Sequence, residues 1–366
     1  MGFYQRIKEY EAFDFSEFCA SRTVYDVRRA IEKDKLSERD LLTLLSPAAE
    51  ECLEEMAQKS HRLTVQNFGK TVTLFTPLYL ANYCESQCVY CGFNRTNHIK
   101  RSKLTMEEVK AEGKEIASRG FQHVIILTGE APKATPISYI ADCARILKQD
   151  IASISVEIYS AEVEDYRTLI EAGVDGFTMF QETYNPELYK TLHLAGIKKD
   201  YMYRLDTPER AAMAGMNSVN VGALLGLDQW RREAFFTALH AKYIQDNYPA
   251  VDVAASLPRI RPHVGDEFVP ECTVSDKNLV QIMTAFRIFL PRLGITISTR
   301  EEPEFRDHII GLGVTKISAD SKTEVGGHAS EEKTEGQFDV SDERTIEEVA
   351  SAIQLGGYQP VYKDWF

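Results

Sequence analysis

Nowhere in the 366 residues does an uninterrupted apolar run approach the roughly eighteen residues a membrane-spanning helix needs. The opening stretch, MGFYQRIKEYEAFDF, also lacks the apolar core of a secretory leader. Met1-Gly2 opens like a myristoylation signal, but Arg6 stands where a small hydroxyl residue belongs. No membrane association is expected, and a cytoplasmic location is. Basic charge is scarce too: 42 Lys and Arg against 55 Asp and Glu leave a formal net charge of −13. Phosphate backbones and anionic membranes attract basic surfaces, so nucleic acid is not an expected partner either. The basic cluster that does occur, Lys100-Arg101-Ser102-Lys103, is short.

Cysteine is sparse, with seven in the chain, and an odd number excludes a complete disulfide framework. Cys19, Cys52, Cys143 and Cys272 stand alone and read as small buried hydrophobes. Cys84, Cys88 and Cys91 crowd together and need another explanation. The composition, 44% hydrophobic and 27% charged, is that of a globular chain. Its length accommodates one large α/β barrel with extensions, or two ordinary domains.

Residues 1–70 read as a mainly helical extension. Apolar faces recur over Leu36–Leu45 and Ala48–Met56, and Ser46 is placed to cap a helix that Pro47 opens. From Thr71 the rhythm changes to short β-rich segments alternating with amphipathic helical patterns. Strands are expected near 71–80, 123–128, 153–159, 175–181, 218–224, 251–257, 294–299 and 314–319. Helices are expected between them, and a last one near 342–356. Eight repeats favour a closed (β/α)8 barrel over an open sheet, because closure removes exposed strand edges. The barrel core is assigned to 71–340, with a C-terminal helix and tail over 341–366. In such a barrel the loops following the strands share one rim and surround one ligand.

The segment Cys84-Glu85-Ser86-Gln87-Cys88-Val89-Tyr90-Cys91 has CxxxCxxC spacing. Three thiolates can hold three irons of a cubane and leave the fourth open, since soft sulfur suits iron–sulfur centres. A zinc site completed by His98 is the other metal reading. CxxxCxxC with Tyr90 before its last cysteine, placed after the first barrel strand, resembles the radical S-adenosylmethionine (SAM) superfamily. The resemblance implies one [4Fe-4S] cluster on Cys84, Cys88 and Cys91, with SAM chelating the open iron. It further implies reduction of the sulfonium by an external one-electron donor to give a 5′-deoxyadenosyl radical, and Tyr90 near the adenine.

Other polar groups stand at the expected strand ends. Thr128-Gly129-Glu130 is similar to that superfamily's Gly-Gly-Glu element, with threonine in place of the first glycine. Gly129 permits close backbone approach, and Glu130 can accept from an ammonium. Glu157 follows Val156 in an apolar strand, either as a cofactor contact or in a structural ion pair. Glu182, in Phe180-Gln181-Glu182-Thr183, is a further candidate cofactor contact. Arg204 either grips the SAM carboxylate with its planar guanidinium or caps a helix in solvent.

The likeness extends over the chain. Leu78 to Cys84, Phe180 to Tyr184, Pro258 to Pro262, Ser298 to Glu301, Phe305 to His308, Ser318 to Thr323, Gly326-Gly327 and Val361 to Trp365 resemble the tyrosine lyases of thiamine biosynthesis, the 2-iminoacetate synthases. That resemblance implies cleavage of the Cα–Cβ bond of L-tyrosine to 2-iminoacetate and p-cresol. SAM is consumed to 5′-deoxyadenosine and methionine, a flavodoxin- or ferredoxin-type protein donates the electron, and thiazole synthase receives the product. For an amino-acid substrate, Arg300 can bind a carboxylate bidentately and Ser298 add a neutral hydrogen bond. Two residues apart on a strand, they are expected to share a face; an Arg300–Glu301 surface pair is the bland alternative. Pro258 and Pro262 hold Arg259 and Arg261 either over the cleft or in a rigid surface loop.

Three other functions compete. A hydrogenase-maturation tyrosine lyase is expected to carry a second cysteine motif late in the chain, whereas the last cysteine here is Cys272. A tryptophan-cleaving relative and a non-enzymatic metal-binding scaffold complete the alternatives. His123, His193 and His308 read as structural.

Overall fold

Parallel strands buried on both faces read as nearly continuous apolar runs, and His123–Thr128 does so here, whereas Ser153–Glu157 alternates serine with Ile154 and Val156 yet is buried up to its last residue. The computed structural model describes residues 2–265, 268–270, 272–330 and 334–363. Its strands are β1 Thr71–Ala81, β2 His123–Thr128, β3 Ser153–Glu157, β4 Gly176–Glu182, β5 Ser218–Ala223, β6 Asp252–Ser256, β7 Gly294–Ile297, β8 Lys316–Ser318 and β9 Gln359–Val361. Each of β1 to β8 pairs in parallel with the next, and β8 pairs back onto β1, so the eight-stranded barrel closes.

Several expected elements end earlier than the apolar pattern suggested. Strand pairing of β3 stops at Glu157 and of β7 at Ile297, so Ser298, Thr299 and Arg300 form a turn on the rim. The C-terminal tail holds a short strand that the sequence did not announce. At Thr73, β1 pairs with both Lys316 of β8 and Val361 of β9, which must therefore lie on opposite sides. β9 thus occupies the β2 side of β1, below the point where β2 begins pairing at Thr76. Of the Val361–Trp365 ending, Asp364 and Trp365 lie outside the described residues.

Helix starts follow local chemistry. Thr105, Ser275 and Thr345 each accept from the backbone N–H three residues on, while that residue's side chain returns a bond, closing a capping box. Ser46 behaves otherwise. It precedes the 3-10 helix Pro47–Cys52, but its buried hydroxyl donates back to the Thr43 carbonyl at 2.7 Å and caps nothing. A hydroxyl without water takes the free carbonyl nearest to it, here at the end of the helix Glu38–Leu44. Five α-helices precede β1 among the described residues, the longest being Leu53–Phe68. The buried apolar side chains of four of them belong to the same hydrophobic cluster as the barrel, and the helix Phe15–Ala20 packs Phe15 and Phe18 against it. Near the N-terminus, Phe3 stacks on His240 at 4.3 Å, fastening the leading segment to the helix Trp230–Asn247.

Candidate functional site

Because β1 to β8 are parallel, their C-terminal ends share one mouth, where the polar motifs gather. The loop after β1 carries Cys84, Cys88 and Cys91, and all three line one cavity there. Gly129, just past β2, lets this loop come in. Its N–H donates to the Ala81 carbonyl at 3.0 Å, and a Cβ on it would sit 2.2 Å from the Tyr83 carbonyl and 3.2 Å from the Cys84 Cβ. Gly129→Ala is therefore expected to displace the cysteine loop. Overpacking of this kind costs about 1–3 kcal/mol. A lowered melting temperature together with reduced iron content after reconstitution checks it; wild-type values for both would show that the loop has room.

A charged cluster faces the same cavity. Arg204 donates from Nε to the Phe180 carbonyl at 2.7 Å, from Nη1 to Glu130 at 2.8 Å and from Nη2 to Glu182 at 3.3 Å. It lies in the short helix Tyr201–Leu205, buried, so the solvated helix-cap alternative does not apply. Lys198 donates to Glu182 at 2.6 Å, and Ser86 to the other oxygen of Glu130 at 3.2 Å. Burial and the neighbouring Arg204 oppose the Lys198 charge, yet Glu182 and the other anionic neighbours outweigh them and hold its pKa above the usual range. Glu182 ends β4 at a register shift and takes a φ of 69°, a left-handed conformation that costs a non-glycine residue energy and is concentrated at functional sites. Behind it, buried Glu233 accepts from Thr183 Oγ1 and from the Tyr184 N–H, both at 2.9 Å. Tyr90 donates to His193 Nε2 at 2.6 Å. His193 Nδ1 meets the Tyr189 carbonyl at 2.9 Å and so must carry the ring proton. Burial, then Lys198, pushes the His193 pKa well below its usual value, so the ring is a neutral brace for Tyr90.

Arg300 lines this cavity and an adjoining one within the barrel, where Ser298 joins it. Its guanidinium lies 3.4 Å from the centre of the Phe338 ring and donates to the Arg259 carbonyl at 3.3 Å. Burial lowers its pKa, against the pull of Tyr79 and Glu157. The surface pairing of Arg300 with Glu301 does not form; Glu301 takes Arg259 instead, which also meets Asp276 at 2.7 Å. Of the two arginines between the prolines, Arg259 is thus structural and Arg261 lines the cavity. The turn is braced from behind. The Thr299 N–H donates to Ser318 Oγ at 3.0 Å, its carbonyl accepts from Ser341 at 2.9 Å, and buried Arg306 pairs with Asp342. Glu157, the last residue of β3, lines both cavities.

Sequence reasoning missed Lys198, Gln337 and Phe338. Gln337 links the two halves of the site, accepting from Tyr79 Oη at 2.6 Å and donating toward Cys91 Sγ at 3.7 Å. No pattern announces it, because its segment is an irregular loop that reaches the mouth only through the fold. His123 sits buried at the opposite end of the barrel against Ser155, at 3.1 Å.

The thiols fit an iron–sulfur cluster. Three soft sulfur donors on one loop suit iron, although among the described residues no three His, Cys, Asp or Glu side chains, these cysteines included, are grouped closely enough to hold a metal ion, and His98 does not line the cavity. Burial, then the Glu130 charge, pushes Cys84 up to about 12, and burial raises Cys88 and Cys91 as well. Such thiols would ionise against the positive charge of a bound metal.

The comparisons agree with this arrangement. Residues 78–238 match the radical SAM superfamily, and 256–359 match the Biotin and Thiamin Synthesis associated domain. A closed barrel with its cysteine loop after the first strand, matched in this way, defines a radical SAM protein. The chain is 39% identical to the 2-iminoacetate synthase of Salmonella typhimurium over 99% of its own length and 96% of that protein's. With the Escherichia coli 2-iminoacetate synthase it shares 39% identity over 94% of this chain and 91% of that one. It belongs to the 2-iminoacetate synthase family. Among solved structures, the [FeFe]-hydrogenase maturase HydG superposes with a TM-score of 0.89 at 32% identity, over 95% of this chain and 78% of that one. Methylornithine synthase, with a TM-score of 0.74 and 22% identity over 92% of this chain and 97% of that one, shares the fold.

Proposed function

We propose that the protein cleaves the Cα–Cβ bond of L-tyrosine to 2-iminoacetate and p-cresol while SAM becomes 5′-deoxyadenosine and methionine. The observation that carries this reading is convergence: the cysteine loop, the Glu130–Glu182–Arg204–Lys198 cluster and Arg300 all line one cavity. Cys84, Cys88 and Cys91 would hold a [4Fe-4S] cluster, which, once reduced, supplies the electron that splits the SAM sulfonium. Glu130 would accept from the SAM ammonium, with Arg204 and Glu182 fixing its place, and Tyr90 would flank the adenine. Arg300 and Ser298 would take the substrate carboxylate, and Met179, Phe180 and Ile260 offer apolar wall to an aromatic ring. The product would pass to thiazole synthase for thiamine biosynthesis, with a flavodoxin- or ferredoxin-type donor, in the cytoplasm.

One anaerobic assay containing tyrosine, tryptophan, reductant and SAM tests the reading. p-Cresol and 2-iminoacetate, formed in step with 5′-deoxyadenosine, are expected. Fragments of tryptophan, or 5′-deoxyadenosine alone, would overturn it. Glu130→Gln is expected to keep iron and sulfide but weaken SAM binding about ten- to hundredfold, the worth of one charge-assisted hydrogen bond. A direct binding titration measures this, and unchanged affinity would assign Glu130 to holding Arg204 alone.

A further inference from the structure

We propose that Glu157 is the base that takes a proton from the substrate ammonium, leaving the neutral amine from which a hydrogen atom is then removed. The proposal rests on the tyrosine-cleavage reading, with the hydrogen atom taken from the substrate amino group as the resemblance to the tyrosine lyases implies. An ammonium nitrogen has no lone pair to stabilise the radical left when hydrogen departs; a neutral amine has one. Tyrosine enters from water with its amino group protonated, so the site needs a proton acceptor.

Three carboxylates line the cysteine cavity. Glu130 is occupied by Arg204 and Ser86, and Glu182 by Lys198 and Arg204. Glu157 has no such hydrogen bond or ion pair among the described residues and borders the open space of both cavities. Arg300 borders the same two spaces, and the charges of the two groups influence each other. A carboxylate seated on Arg300 carries its amino group on the adjacent Cα, which keeps that group near the wall Glu157 shares. The other charged or titratable groups facing Glu157 are Glu182 at the end of β4, Lys198 and Arg204 beyond it, and Tyr79 on β1. Tyr79 donates to Gln337, and burial keeps its phenol protonated, so it accepts no proton. The surrounding cations disfavour another positive charge. Removal from water disfavours carboxylate and ammonium alike, so transfer to a neutral pair is eased from both sides. Burial, then the Glu182 charge, pushes Glu157 up to about 7, against the pull of Arg300, Lys198 and Arg204. In the transfer one N–H bond breaks with its electron pair left on nitrogen, one O–H bond forms on Glu157, and nothing is oxidised or reduced.

The test uses cluster-loaded enzyme with SAM. Without reductant, adding tyrosine to the wild type is expected to produce an infrared carbonyl band of a protonated carboxyl, and Glu157→Gln to lack it. In turnover, Glu157→Gln should bind SAM as the wild type does while p-cresol per 5′-deoxyadenosine falls about 10²- to 10⁴-fold, the usual worth of a general base. Since the base must be unprotonated, wild-type kcat/KM should fall below a pH of about 7, and Glu157→Asp should keep that acid limb with partial activity. A carboxyl band persisting in Glu157→Gln, or weakened SAM binding with an unchanged product ratio, would overturn the proposal and leave Glu157 a cofactor contact. Wild type that makes no p-cresol at all would instead overturn the reading on which it rests.

Discussion

Replacing any one of Cys84, Cys88 or Cys91 by alanine is expected to abolish SAM cleavage and to reduce bound iron and sulfide after anaerobic reconstitution. The three thiols line one wall, and the bonds around them leave little slack. The Glu85 N–H donates to the Glu130 carbonyl at 2.9 Å, the Gln87 N–H to Ala195 at 3.1 Å and the Val89 N–H to Leu192 at 3.2 Å. A loop so fastened to two parts of the rim, the turn after β2 and the segment 192–195, cannot swing another residue into the vacated place. The isolated cysteines offer no replacement: Cys19, Cys52 and Cys143 are buried as expected, Cys272 is half-buried rather than buried because it sits in the irregular loop after β6, and none of the four lines this cavity. The measurement is iron and sulfide per chain, with the spectrum of the reduced cluster and the yield of 5′-deoxyadenosine. A single variant that keeps both spectrum and cleavage would remove that cysteine from the ligand set.

Legibility in the sequence divides along physical lines. The barrel was readable because short β-rich segments alternate with amphipathic helices, and eight such units favour closure. The cysteine loop was readable because its three ligands are neighbours in sequence. Strand ends were less so, since pairing at Ile297 and Glu157 stops where the partner strand departs, and the apolar pattern does not record the partner. β9 escaped because Gln359-Pro360-Val361 has neither the length nor the alternation of a strand; it exists because β1 projects below β2 and offers unpaired backbone.

Within the site, strand-end residues such as Glu157 and Glu182 stood out because a charge interrupts an apolar run. Lys198 did not, since lysine in a polar stretch is ordinary; only the fold buries it against Glu182. Gln337 and Phe338 depended on a segment far along the chain folding back, its backbone bonded to Gly92 at 3.1 Å and Thr323 at 3.1 Å. The Phe305–His308 motif was visible but its purpose was not. Arg306 and Asp307 pair with Asp342 and Arg344, which tie down the turn carrying Arg300. It serves the site through that turn.

That bracing makes Arg300→Lys the most discriminating change at the substrate end. The guanidinium presents a flat fork and rests on the Phe338 ring at 3.4 Å, whereas a lysine ammonium offers a point charge with neither the fork nor the stacking plane. Breaking one member of a buried charge pair costs about 2–5 kcal/mol. Placement matters further, because hydrogen transfer requires the reacting atoms in near contact and a displacement of about 1 Å can cost a hundredfold. The backbone around residue 300 should stay where it is, since Thr299 holds Ser318 and Ser341 through main-chain groups that the substitution leaves alone. The expected variant is folded, loads its cluster and cleaves SAM slowly, but loses most tyrosine-dependent p-cresol. Uncoupling, rather than simple inactivity, is the signature, so the deciding quantity is p-cresol per 5′-deoxyadenosine at saturating tyrosine under strict anaerobiosis. Were Arg300→Lys to give the wild-type ratio and the wild-type tyrosine dependence, the carboxylate would have to be held elsewhere on the rim, with Arg261, also on the cavity wall, the next cation to test.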